Sequence, residues 1–114
     1  IPIPLHAYRE KERGYNQSHL LALEISKLTG VPILEHGLVR TRETEVQARL
    51  DFEDRIKNVK DAFELGVSNI QNKQVCLIDD VCTTGATLFS AAERLKSAGA
   101  TRVIGLTFAR ALKL

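Results

Sequence analysis

Two adjacent carboxylates, Asp79 and Asp80, stand just before the hydroxyl-rich turn Thr83-Thr84-Gly85-Ala86-Thr87. That turn offers three hydroxyls and, at a helix start, several backbone N–H groups with no helical partner. Such a terminus binds anions, and the helix dipole adds ~0.3–1 kcal/mol for a negative charge placed there. Gly85 permits a positive φ and the close approach of a ligand to the backbone. The turn has no Lys and no G-x-x-x-x-G-K-[ST] pattern, which excludes the nucleoside-triphosphate P-loop and leaves a single phosphate group as the better fit. Carboxylates accept hydrogen bonds, and a vicinal diol donates two. A ribose 5-phosphate carries both features, a diol at one end and a phosphate at the other. The plain alternative is a capping arrangement, with the Asp pair and the threonines serving only the strand end and the helix start. The apolar run before the doublet and the T-T-G-x-T after it favour a ligand.

The elements that must position these groups are readable around them. Val75-Cys76-Leu77-Ile78 is a continuous apolar run, as expected of a strand buried on both faces of a parallel sheet. In open α/β sheets ligands bind outside the carboxyl ends of such strands, so the doublet should face a crevice at the sheet edge. Residues 86–98 read as a helix, with Leu88, Ala91, Ala92 and Leu95 on one stripe and Gly99 ending it. A second helix is expected over 18–29, capped by Asn16, with Leu21, Ile25 and Leu28 recurring and Leu20 beside them; Gly30 and Pro32 close it. Strands are expected at 31–34, 37–40, 62–67 and 102–109, the last with Val103, Ile104, Gly105 and Leu106 buried. Residues 1–5, with prolines at 2 and 4, read as the end of a strand leaving the sheet. Residues 6–17 read as a polar loop. Residues 35–63 form a long charged stretch of weak periodicity, which is either a functional loop or a solvated hairpin. The sum is an α/β fold with a mostly parallel central sheet and helices on both faces.

The 114 residues suffice for one domain and not two. Lys plus Arg number 16 and Asp plus Glu 14, a net charge of +2, so bulk charge does not point to direct nucleic-acid binding. The two cysteines, Cys76 and Cys82, have no metal-ligand spacing and form no secretory framework. No apolar run reaches membrane-spanning length and no signal-peptide pattern occurs, which makes the cytoplasm the expected location.

The stretch V-C-L-I-D-D-V-C-T-T-G-A-T resembles the phosphoribosyl pyrophosphate (PRPP) signature of type I phosphoribosyltransferases. The flanking I-P-I-P-L-H at 1–6, R-G-Y-N-Q at 13–17, R-x-x-x-T-x-x-Q at Arg40, Thr44 and Gln47, and R-x-x-N at Arg55 and Asn58 followed by Ala62-Phe63 resemble the ComF/GntX group of phosphoribosyltransferase-like proteins. The resemblance spans nearly the whole chain. It implies the three-layer type I phosphoribosyltransferase fold over residues 1–114, lacking an N-terminal strand and the four-cysteine zinc module that members commonly carry. It implies that Asp79 and Asp80 are catalytic and hold the ribose hydroxyls. Val81, Cys82, Thr83, Thr84, Gly85, Ala86 and Thr87 would wrap the 5-phosphate. The loop from Pro4 to Arg13 would be the pyrophosphate loop, with His6, Arg9 and Arg13 facing the diphosphate. The charged insertion, with Arg40 and Arg42, would be a flexible hood closing over the substrate. A diphosphate leaving group needs cations, and arginine suits multidentate phosphate contacts. Mg²⁺ is expected as cofactor, bound through PRPP and not directly by the protein.

Two readings of the activity stand. One is an enzyme transferring the phosphoribosyl group from PRPP with release of pyrophosphate. The other is a PRPP- or nucleotide-binding module without catalysis, serving DNA uptake in natural competence. No segment reads as a dedicated nucleobase pocket, which favours the second. A receiver-like domain with an acidic Mg²⁺ pair is the weakest reading, because a phosphoacceptor Asp needs no phosphate cradle beside it. Expected partners are PRPP or a phosphoribosyl nucleotide, a protein of the competence machinery, and a second copy in a homodimer.

Overall fold

The computed structural model describes residues 1–5, 7–41, 62–66, 69–82 and 85–111. In chain order the elements are α1 (Ala7–Arg13), α2 (Gln17–Thr29), β1 (Leu38–Arg40), β2 (Phe63–Leu65), β3 (Gln74–Cys82), α3 (Ala86–Ser97) and β4 (Arg102–Arg110). β3 is the axis. On one side it pairs in parallel with β4, from Gln74 opposite Arg102 to Cys82 opposite Arg110. On the other side lies the N-terminal segment, where Pro2 bridges to Ile78 in parallel. There the Ile3 N–H donates to the Ile78 carbonyl at 2.8 Å, and the Ile78 N–H to the Ile1 carbonyl at 2.9 Å. Pro2 has no N–H to give, so the ladder runs through the residues flanking it.

β3, α3 and β4 form one parallel crossover unit, the arrangement expected of an α/β chain. Residues alternate faces along a strand, so Val75 and Leu77 share a side with their register partners Val103 and Gly105. α3 lies on that side: Leu88 Cδ1 sits 3.3 Å from where a Cβ on Gly105 would be. Glycine here lets the helix approach the strand. Leu77, Ala91 and Leu95 have no solvent exposure and anchor the core, which continues to Ile3, Leu38 and Phe63. β1 and β2 form a separate antiparallel pair, with Leu38 opposite Leu65 and Arg40 opposite Phe63. These two short strands fall within the expected 37–40 and 62–67.

Several expectations are overturned. The polar loop expected over 6–17 contains α1. Tyr-Arg-Glu-Lys-Glu-Arg has neither glycine nor proline and five good helix formers, and Gly14, at φ 89°, supplies a left-handed stop. The strand expected at 31–34 pairs with no described strand; Pro32 removes one ladder donor from a segment of four residues. α2 does not bury the predicted leucines. Leu28 is 85% exposed, and the buried positions are Ser18 and Ala22, one turn apart. In β4, Ile104 and Leu106 are not buried but 45% exposed, because they point away from α3 and toward solvent.

Candidate functional site

Asp79 and Asp80 lie near the carboxyl end of β3, both half-buried. They line a cavity of about 160 Å³ with Arg13, Asn16, Gln17, Ser18, Arg40 and Thr87. Each element delivers its groups for a local reason. α1 stops at Arg13 through Gly14. α2 starts at Gln17 because Asn16, in extended conformation, caps it: the Ser18 N–H donates to Asn16 Oδ1 at 3.0 Å. The same Asn16 donates from Nδ2 to the Ile3 carbonyl at 3.0 Å, tying the start of α2 to the segment beside β3. Arg40 ends β1 and stacks over the Phe63 ring, 4.9 Å from its centroid. That cation–π contact ties the charged head to the antiparallel pair. α3 begins at Gly85, whose φ of 86° turns the chain from β3 into the helix with no side-chain cap. Thr87, in the first turn of α3, brings that helix start to the cavity.

The doublet is internally ordered. Asp79 Oδ1 accepts from the Ser18 hydroxyl at 3.1 Å and from the Asp80 N–H at 2.9 Å; Asp80 Oδ1 accepts from the Val81 N–H at 2.8 Å. Burial, and after it the neighbouring Asp80 carboxyl, push Asp79 up to about 6 from an ordinary 3.8, against the pull of the Asp80 amide and the Ser18 hydroxyl. Between pH 3.8 and about 6 the folded chain keeps a proton that the unfolded chain has released. Stability from this group is therefore present at low pH and lost as pH rises through that window, by on the order of 2–3 kcal/mol at pH 7. Asp79→Asn removes the effect. In urea denaturation the variant is expected to be more stable than the parent at pH 7, with the difference closing below pH 4.

Of the site residues expected from sequence, the structure brings Asp79, Asp80, Val81, Thr87, Arg13 and Arg40 to one cavity. Cys82 closes β3, its carbonyl accepting from the Ala111 N–H at 2.9 Å, and Ala86 is buried at the first position of α3. His6, Arg42, Thr83 and Thr84, and nearly all of the expected hood, lie outside the described residues, as does the Arg9 side chain. Sequence reasoning missed Gln17 and Ser18. The signal was present: Ser18 and Ala22 are small residues one helical turn apart, which is how a helix packs closely on a strand.

The phosphoribosyl transferase domain family matches residues 20–113. The chain belongs to that family, within its ComF group of phosphoribosyltransferase-like proteins. It is 38% identical to Competence protein F of Haemophilus influenzae over 113 residues, covering 97% of this chain and 49% of that protein. It is 35% identical to the DNA utilization protein YhgH of Escherichia coli (strain K12) over 103 residues, 90% of this chain and 45% of that one. With Competence protein ComFC of Bacillus subtilis (strain 168) it shares 36% identity over 99 residues, 87% of this chain and 38% of the relative. The chain thus spans about half or less of the length of these curated relatives. No solved structure matches it significantly. Among the described residues no helix is long and apolar enough to cross a membrane.

Proposed function

We propose that this domain binds PRPP in the Asp79–Asp80 cavity and transfers its phosphoribosyl group with release of pyrophosphate, in a cytoplasmic process linked to DNA uptake. Asp79 and Asp80 accept from the ribose 2- and 3-hydroxyls. The segment 81–87 and the start of α3 surround the 5-phosphate. Arg13 and Arg40 meet the diphosphate, with His6, Arg9 and Arg42 as further cations of the pyrophosphate loop and hood. In the reaction the bond from C1 to the diphosphate oxygen breaks, and a bond from C1 to the acceptor forms. The arginines stabilise the charge that develops on the leaving group, and the carboxylates face the positive charge on the ring. The sheet is read as the centre of the three-layer type I architecture, with the hood closing over the cleft and excluding water.

The observation that carries this reading is the placement of opposite charges. Two aspartates from one strand and two arginines from two other elements line one small cavity, beside the start of α3. A diol and a diphosphate on one molecule would meet both. Mg²⁺ is proposed to arrive with the ligand: among the described residues no three His, Cys, Asp or Glu side chains converge to hold a metal. Bound to the diphosphate, it would offset part of the leaving group's charge.

The alternative of a binding module without transfer has one observation in its favour. No aromatic side chain lines the described part of the cavity, so a base would find no stacking surface there. Pyrophosphate release from PRPP and Mg²⁺, measured with a panel of bases and amines beside calorimetric binding, separates the two. Binding accompanied by release with at least one acceptor is expected. Tight binding with no release supports the module, and no binding removes both.

A further inference from the structure

Ser18 is the one buried polar residue among the described side chains, at 4% exposure. It sits in the first turn of α2, and no substrate role has been given to it. Near the start of α2 its i−4 carbonyl belongs to Gly14, outside the helix, so the back-bond that Thr29 makes to the Ile25 carbonyl at 2.8 Å and Ser97 to the Glu93 carbonyl at 2.6 Å is not open to it. Instead it crosses 61 positions of sequence and donates to Asp79 Oδ1 at 3.1 Å. The backbone around it is fixed twice: its own N–H is held by Asn16 Oδ1, and Asn16 Nδ2 is held by the Ile3 carbonyl. Ile3 in turn donates to Ile78, the residue before Asp79. A closed circuit runs from the N-terminal segment through the cap of α2 to the acidic doublet.

We propose that Ser18 is a positioning residue for Asp79: its hydroxyl holds Oδ1 against α2, so that the remaining carboxylate oxygen is the one a ligand hydroxyl can reach. The proposal rests on the reading of the cavity as a PRPP site and adds to it a residue whose job is to orient and ionise one of the two diol acceptors. Two donors already occupy Oδ1, the Ser18 hydroxyl and the Asp80 N–H. A ligand therefore meets a carboxylate whose plane is set before it arrives.

A hydroxyl donates more strongly to a carboxylate than to the carboxylic acid and so favours the ionised form, which links positioning and proton state here. The charged groups around Asp79 come from three elements: Arg13 from α1, Arg40 from β1 and Asp80 from β3 itself. α2 contributes the uncharged Gln17 and Ser18, and α3 contributes Thr87. Among the groups that α2 and α3 supply, Ser18 is the one that donates to the carboxylate.

The test is Ser18→Ala, read by the carboxyl-carbon NMR titration of Asp79 and by PRPP affinity from pH 6 to 8.5. The Asp79 midpoint is expected to rise from about 6 by about one pH unit, the size of one lost charge-assisted hydrogen bond. Affinity should fall at every pH, because the carboxylate plane is no longer set, and the loss should be about fivefold larger at pH 6 than at pH 8.5, following the ionised fraction of Asp79. Ser18→Thr keeps a hydroxyl on the same carbon and should restore the parent midpoint. In an Asp79→Asn background, Ser18→Ala should leave the pH dependence of binding unchanged. An Asp79 midpoint equal in Ser18→Ala and parent, or an affinity at pH 8.5 equal to the parent's, overturns the proposal. The titration needs no ligand, so a parent that fails to bind PRPP would sink the site reading while Ser18 is still judged by the midpoint.

Discussion

Replacing both Asp79 and Asp80 by asparagine is expected to weaken PRPP binding by about 10- to 100-fold at pH 7.5. Each substitution keeps an oxygen that can accept but removes the charge. Charge-assisted hydrogen bonds contribute ~1.5–3 kcal/mol and neutral ones roughly half as much, so two losses come to about 1.5–3 kcal/mol. At about 1.4 kcal/mol per factor of ten, that is a range of about 10- to 100-fold. Isothermal calorimetry with PRPP and Mg²⁺ measures it directly, and ribose 5-phosphate in place of PRPP should show a loss of similar size, since the diol is common to both. A loss with PRPP alone would mean that the carboxylates act on the diphosphate end, and the orientation given to the ligand would be reversed. Stability should move the other way. Asp79 is held ionised in a site that resists ionisation, so its neutral replacement strengthens the fold while weakening binding. A variant that loses affinity by unfolding would lose both together.

How much of this was legible before the structure depends on how local each feature is. Residues 75–88 read correctly as strand, acidic pair, turn and helix because every signal lies within a few positions of the feature it marks. Asn16 and Gly30 likewise declared the ends of α2 by their own chemistry. What stayed hidden was set by long-range packing. The small pair Ser18 and Ala22 hints at a close-packed face, but that this face and not Leu28 meets β3 depends on what the helix packs against. The apolar period includes the half-buried Leu21 and Ile25 but runs out to the exposed Leu28 at the end of the helix. Arg40 was expected near the substrate through a family pattern, but its support, the Phe63 ring 23 positions away, becomes visible only when β1 and β2 pair. α1 was missed because its charged residues, alternating in sign, looked like a loop when only apolar periodicity was counted. A helix of seven residues has little room to show a period.

Leu77→Ala is expected to destabilise the domain by about 2–5 kcal/mol, the range for deleting a large aliphatic side chain from a packed core. Leu77 has no solvent exposure and stands on the α3 side of β3 with Ala91 and Leu95 in the same cluster. Its register partner is Gly105, which has no side chain to swing into the space, and Leu88 already occupies the approach to that glycine. The hole can close only if α3 moves toward the sheet. α3 starts at the cavity, and Leu77 is two residues from Asp79, so the relaxation that limits the stability loss would displace Thr87 relative to the carboxylates. Leu106→Ala is the matched control: the same chemical deletion on β4, at a side chain 45% exposed and facing away from α3, should cost less than about 1.5 kcal/mol. Urea denaturation of both variants measures the difference, and calorimetry with PRPP under conditions where each is fully folded reads the effect on the site. Equal destabilisation by the two would mean that β4's outward face is covered by something beyond the described residues. A Leu77→Ala domain that binds PRPP like the parent would show that the start of α3 and the acidic doublet need not be held in fixed register for the ligand to bind.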